Sequence, residues 1–485
     1  MEITELDPQE VFFYFNRISS IPRGSGNTKN ITEYCVTFAK EHGLQYYRDQ
    51  KGNVIIYADG TQGGSSREPV ILQAHLDMVC DQKEGCTKNM EQEGPTLRTD
   101  GSYVWAEGTT LGGDDGIAVA YILALLASKE LPHPPVEALF TVDEEIGMLG
   151  ARGLDASGLR GRRLINIDSE AEGVLTVSCA GGVRALCEVA LDFTEEPPQE
   201  TVAYRIFVGG LKGGHSGVDI SRHRSNGLKI LGRLLEYTAR RCAVAVEDLK
   251  GGGRENAIPK AAEALVSVNR SSEGLLRDSV AEFCEIVKKE LVNTEPDILI
   301  GAEQVRPKGR ATDLSSTRKL IFALMQVPDG IQTMSPDIPD MVQTSLNLGT
   351  AFLENDTLTM RFLIRSNAAA GKQTTIQKLN SFIDYIDGKI IFQSDYPAWE
   401  YKIVSPLREV MIKTYREVYA DEPLVTSIHA GLECGILAGK IEDLDMVSFG
   451  PTLENVHTPE ERMDVASVER TWRYFIKVLE NLCKP

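Results

Sequence analysis

The chain has 485 residues, a formal net charge of -19, 42% hydrophobic and 25% charged residues, a globular composition too long for one ordinary core, so two domains or three are expected. The acidic balance argues against nucleic-acid or membrane-surface partners, which need clustered Lys and Arg. Nine cysteines without CxxC spacing argue against a disulfide or zinc-ribbon framework and point to a reducing cytoplasm.

The acidic start, "MEITELDPQEVFFYFNRISS", lacks the cationic flank and apolar core of a secretory signal. Next, "ITEYCVTFAKEHGL" places Ile31, Tyr34, Cys35 and Phe38 on one helical face and ends at Gly43, an amphipathic helix with its stop. "NVIIYA" and "EPVILQAHLD" read as strands. "GIAVAYILALLAS" reads as a helix too short to span a bilayer. "VEALFTVDEE" and "RRLINIDSE" read as two more strands. Short β-rich runs alternating with helices predict an α/β domain with a mostly parallel sheet flanked by helices.

Near residue 190 the texture changes. "LDFTEEPPQE" reads as an acidic linker, followed by about 200 residues of strands and long helices that predict an inserted α+β domain. It includes the hairpin-like "TSLNLGTAFLENDTLTMRFLIR". The first fold resumes with "SPLREVMIKTYREVYA", "LVTSIHAG", "DLDMVSFGP" and a terminal helix in "VERTWRYFIKVLENL". The expected division is 1–190 and 391–485 for the first domain and 191–390 for the insertion.

The chemistry gathers just past the strands. His75 and Asp77 share a strand face as "VILQAHLD" runs out. Four more strand ends or following loops carry polar residues: Asp114 and Asp115 in "LGGDDG", Glu144 and Glu145 in "TVDEEIG", Asp168 in "NIDSE", and His457 in "FGPTLENVHTPEE". A strand-end His or Asp taken alone is ordinarily a solvated loop residue, "LGGDDG" an ordinary turn and "DEE" a solvated face. Together, carboxylates this crowded repel one another unless a cation balances them. The nitrogen and oxygen donors suit divalent zinc, with manganese or cobalt as substitutes. A pair of such ions would activate a water and polarise a carbonyl, with one of Glu144 and Glu145 free to take the water's proton. Asp77 either orients the ring of His75 or steadies the bridging group. His42, His133 and His223 read as bland turn or loop histidines.

These residues and their order resemble the zinc-dependent metallopeptidase family that includes carboxypeptidase G, aminoacylases and dipeptidases. The blocks "LQAHLDMV", "GTTLGGDDGI", "EEIGMLGARGL", "LINIDSE", "CAGG", "GLKGGHSG", "NAIP", "HAGLECG" and "GPTLENVHTPEE" are similar to its Xaa-His dipeptidase branch. The resemblance implies a zinc-exopeptidase-like catalytic domain and makes the insertion a lid or dimerisation domain. It implies that His75 and Asp168 hold one metal, Glu145 and His457 a second, and Asp114 bridges them. Glu144 becomes the general base, Asp77 a support for the His75 site, and His215 a donor to the developing oxyanion. Asn256 and Arg365 become the positions that hold the substrate's carboxylate end, as a guanidinium fork suits.

The family's Asp-Asn-Gly is Asp114-Asp115-Gly116 here, so Asp115 is an alternative bridge. His429 and Glu433 in "HAGLECG" are expected to shape the pocket for the substrate's amino end. The expectation is therefore a cytoplasmic two-metal dipeptidase for Xaa-His and other unblocked dipeptides, carnosine-like ones included, with a homodimer through the insertion. The alternatives are an N-acyl amino-acid deacylase or a carboxypeptidase on the same scaffold and, remotely, a non-catalytic metal-binding protein.

Overall fold

The computed structural model describes residues 2–195 and 200–484. The chain divides into two units, residues 1–179 with 401–427 and 432–485, and residues 180–400 with 428–431.

The first unit is built on an eight-stranded sheet in the order Gln45–Arg48, Val54–Ala58, Val136–Thr141, Val70–His75, Arg163–Asn166, Asp445–Ser448, Val174–Cys179 and Leu424–Ile428. The four strands from Val136–Thr141 to Asp445–Ser448 pair in parallel. All four are buried along nearly their whole length, which is why they read as continuous apolar runs rather than alternations. Their carboxyl ends share one edge, where ligands of such sheets collect. His75 lies opposite Thr141 in register, so the residues after each emerge side by side.

The helix Gly113–Ala127 is apolar all round, and from Gly116 to Leu126 every residue is buried. Each Ile or Leu sealed there contributes about 1.5–3 kcal/mol. Helix Gln9–Ser19 packs on it. Trp472, from the amphipathic terminal helix Val465–Leu482, stacks on Tyr121 at 5.5 Å.

The second unit is an antiparallel sheet, ordered Leu299–Val305, Thr201–Gly209, Ala262–Asn269, Val244–Gly252, Val342–Glu354, Thr357–Ser366, Gly181–Ala190 and Lys389–Tyr396, with Gly330–Met334 paired on Val342–Glu354. Helices Gly227–Ala239, Glu273–Glu290, Leu314–Gln326 and Ala369–Tyr385 accompany it. The expected hairpin turns at Asn355-Asp356, both at positive φ (49° and 59°), the type I′ geometry that matches strand twist.

The unit limits differ from the expected 191 and 390. Strand Gly181–Ala190 pairs along its length with Thr357–Ser366 and, on its other edge, with Lys389–Tyr396, so both outer strands belong to the second unit. Residues 428–431 join it as well, because the Ala180 N–H donates to the Ile428 and Ala430 carbonyls. Within the expected linker, Phe193–Glu195 is a strand paired with Arg310–Thr312, and residues 196–199 lie outside the described residues. His133 lies in a loop as expected but is buried, its Nδ1 2.7 Å from the Pro134 carbonyl. No described helix is long and apolar enough to cross a membrane.

Candidate metal centre

The parallel edge of the first unit brings the expected ligands together. His75 ends its strand with Nε2 3.0 Å from Asp114 Oδ1 and 3.8 Å from Asp168 Oδ1. His457, at positive φ in its loop, points Nε2 at Asp114 Oδ2 and at Glu145 Oε1, each 3.0 Å away. Asp114 thus offers one oxygen to each histidine. Asp115 takes another task, its Oδ2 accepting the His75 backbone N–H at 3.1 Å. Two sets, His75 with Asp114 and Glu145, and His75 with Asp115 and Asp168, hold ligand atoms within 4.8 Å of one another.

Of the two tasks considered for Asp77, the contact with the His75 ring is seen. His75 Nδ1 lies 3.2 Å from the Asp77 carbonyl and 3.6 Å from its Oδ1, which holds a proton on Nδ1 and turns Nε2 toward Asp114. The Asp77 carboxylate also accepts the Glu144 N–H at 2.9 Å, the Glu145 N–H at 3.3 Å and the Ser25 hydroxyl at 2.7 Å. Burial alone would raise the Asp77 carboxyl. The His75 hydrogen bond and charge, with the Glu144 and Ser25 bonds, outweigh it and hold it down at about 2.

The other acids split in opposite directions. Burial, with Glu433, Glu145 and Asp114 adding to it, pushes Glu144 up to about 8 despite the opposing His75. Burial and neighbouring carboxylates push Asp115 and Asp168 well above the usual range. Asp114 is buried too, but hydrogen bonds from His457 and His75 hold it well below that range. The His457 ring is pushed up to about 11 by Asp114 and Glu145. This is the behaviour of more carboxylate than the local charge balances, and divalent cations are the partners that would relieve it.

Two supports had no clear signal in the sequence. Glu461 accepts four backbone N–H groups, from Leu111 (2.8 Å), Gly112 (3.0 Å), Gly113 (2.8 Å) and Asp114 (3.4 Å), and so fixes the loop that carries Asp114. Arg23, fully buried, donates to the carbonyls of Leu76, Asp77 and Gly112, joining that loop to the end of the His75 strand. In sequence both look like ordinary surface charges.

Glu433 was expected at a substrate pocket, but it is fully buried. Its Oε2 accepts from the Thr141 hydroxyl at 2.5 Å and the Gln73 amide at 2.7 Å beneath the strand ends. Burial raises its carboxyl to about 7 against the pull of His75.

The remaining candidates lie together in the second unit. His215 pairs with Ala257, beside exposed Asn256, whose carbonyl accepts the Ser216 N–H at 2.9 Å. His215 Nδ1 accepts the Gly217 and Val218 N–H groups, at 3.3 and 3.2 Å, which places the ring proton on Nε2. Arg365 Nη2, also a donor, is 3.3 Å from that Nε2. Arg365 is buried, its Nε has no acceptor among the described residues, and its partner on Nη1 is the Tyr396 hydroxyl at 3.3 Å. Donors converging without an acid between them suit an anionic oxygen. His429, also buried, lies 3.0 Å from Asn367 Oδ1 and 2.8 Å from the Ser345 hydroxyl. Burial, then Arg365 and His215, push its ring down to about 3.

Comparison with known proteins agrees over the whole length. Residues 71–481 match the peptidase family M20/M25/M40. The chain is 35% identical over 481 residues to the cytosol non-specific dipeptidase of Escherichia coli K12, covering 99% of each. The crystal structure of aminoacylhistidine dipeptidase from Vibrio alginolyticus superposes with a TM-score of 0.94 at 36% identity, covering 99% of this chain and 98% of that one. The aminopeptidase PepT of Bacillus cereus, at 12% identity and a TM-score of 0.59, shares the fold, with 99% of this chain and 100% of that one covered. The chain belongs to the M20/M25/M40 peptidase family.

Proposed function

We propose that this chain hydrolyses unblocked dipeptides, Xaa-His among them, at a two-metal centre, with Glu144 as the general base. The observation that carries this reading is Asp114, with one oxygen 3.0 Å from each of two histidines and a protonatable Glu144 held beside the same centre. Zinc, or manganese or cobalt in its place, held by His75 and Asp168, by Glu145 and His457, and by Asp114 between them, would polarise the scissile carbonyl and acidify the attacking water. Glu144 takes that water's proton on its carboxylate and returns it to the leaving amine. Asp77, through the backbone of Glu144 and Glu145, keeps base and ligand pointing to their separate tasks.

In the second unit, Arg365 and Asn256 receive the substrate's carboxylate, and His215 donates from Nε2 to the developing oxyanion, help of the kind worth several kcal/mol. Support comes from the buried, acid-free guanidinium and the tautomer that the Gly217 and Val218 N–H groups select. The relatives named as a cytosol dipeptidase and an aminoacylhistidine dipeptidase support the substrate class and a cytoplasmic location. Pairing of two chains through the second unit completes the proposal. The strand Leu299–Val305, at the end of its sheet, supports it, and light scattering tests it.

The test is amine release from carnosine, Gly-His, Ala-Ala, Gly-Gly-His and N-acetyl-Ala, after chelator stripping and reloading with zinc, manganese or cobalt. The expected result is cleavage of the free dipeptides alone, lost on stripping and restored by metal. Cleavage of N-acetyl-Ala alone would move the enzyme to the deacylases, and cleavage of nothing would favour a binding protein.

A further inference from the structure

Beside the metal centre, and wholly within the first unit, lies a cavity of about 770 Å³ that no step above uses. Its walls include Met78, Cys80, Met90, Glu91, Glu145 and Ile146. Glu145 connects it to the chemistry, since the same carboxylate stands 3.0 Å from His457 Nε2.

The walls are built rather than accidental. The Met78 N–H donates to the Arg23 carbonyl at 3.1 Å and the Ser25 N–H to the Met78 carbonyl at 3.3 Å, a short backbone ladder under the cavity. Asn27 Nδ2 donates to the Glu91 carbonyl at 3.0 Å, tying the Met90 loop to the same segment. Met78 and Met90 are buried, whereas Ile146 is 54% exposed at the rim.

Chemically the lining combines thioether, thiol and aliphatic groups with the neutral polar side chains of Ser25, Asn27 and Gln92 and carboxylates at Glu91 and Glu145, with no Lys or Arg. Methionine walls adapt to irregular apolar shapes. Glu91, the lining carboxylate not assigned to a metal, repels an acidic occupant.

We propose that this cavity receives the side chain of the dipeptide's N-terminal residue, favouring large uncharged side chains and rejecting acidic ones. The inference rests on the dipeptidase reading. With the substrate's carboxylate assigned to Arg365, the residue on the other side of the scissile bond is the one left to be placed, and a Glu145-lined cavity of this size holds any natural side chain.

The test compares kcat/KM for Leu-His, Asp-His and Gly-His in the wild-type metal-loaded enzyme and in Met90→Trp and Ile146→Trp, with metal content measured for each. The wild type should prefer Leu-His to Asp-His by at least about tenfold, and filling the cavity should lower the Leu-His to Gly-His ratio by about tenfold. Ile146 is at the exposed rim, so its variant keeps the test valid if Met90→Trp fails to fold. Unchanged ratios in folded variants, or equal wild-type rates on Leu-His and Asp-His, overturn the pocket while leaving the dipeptidase reading intact. No hydrolysis of any dipeptide by the loaded wild type overturns the dipeptidase reading, and the pocket with it.

Discussion

Asp77 Oδ1 accepts the backbone N–H of Glu144 at 2.9 Å, so the residue two places beyond a metal-ligand candidate also sets the position of the base. Asp77→Asn keeps the shape but places an amide N–H against one of the donors it now satisfies. Because such supports act through the groups they hold, kcat should fall by roughly 10- to 100-fold with metal still bound. Steady-state kinetics with metal analysis checks this, and unchanged kcat contradicts it.

Glu461 makes a second prediction. Its two oxygens serve four N–H groups of the loop from Leu111 to Asp114. Glu461→Gln turns one oxygen into a donor facing donors, a loss of roughly 2–3 kcal/mol. Thermal unfolding should drop, and metal affinity should weaken with it because Asp114 rides on that loop. Glu461→Asp should fall between the two in both measurements.

How much of this was legible in the sequence follows from the range of the contacts. His75, Asp114, Glu145, Asp168 and His457 each announce themselves as polar residues past an apolar run; parallel strands carry His75, Glu145 and Asp168 to one edge, whereas Asp114 comes from the start of a helix and His457 from the loop between Leu453–Glu454 and Arg462–Asp464. Glu461 and Arg23 announce nothing, because their partners are backbone groups, 347 to 350 residues away for Glu461 and 53 to 89 for Arg23. Glu433 follows a Gly-Leu pair in a segment that reads as a loop. Its burial depends on Thr141 and Gln73, two strand residues whose inward polarity is hidden inside apolar runs. The limit at residue 180 was missed for a similar reason: composition changes near residue 190, but strand pairing begins at Gly181.

Arg365 is buried without a carboxylate partner. If it receives the substrate's carboxylate, Arg365→Lys loses the fork and should lower kcat/KM for dipeptides by about 10- to 100-fold, mostly through KM. Dipeptide amides, which lack the anion, should respond far less. Equal losses on both substrates contradict the assignment.

His429 makes the second unit sensitive to acid. Its ring is held down to about 3 in the fold, whereas an unfolded imidazole takes up its proton near pH 6.5, so below that pH the unfolded chain binds a proton the fold refuses. The stabilisation is complete above about pH 6.5 and is lost as the pH falls toward 3, by about 2 kcal/mol between pH 6.5 and 5. Denaturant unfolding of His429→Asn should lose this part of the acid sensitivity while also losing the Ser345 bond at every pH. Matching acid slopes in wild type and variant contradict it.

The central claim is that Glu144 moves the proton while Glu145 holds metal. It is tested most directly by Glu144→Gln, with metal content and dipeptide turnover measured on the same sample. The account predicts metal bound at the wild-type level and kcat lower by roughly 10²- to 10⁴-fold. Metal lost together with activity, or turnover retained, would contradict it.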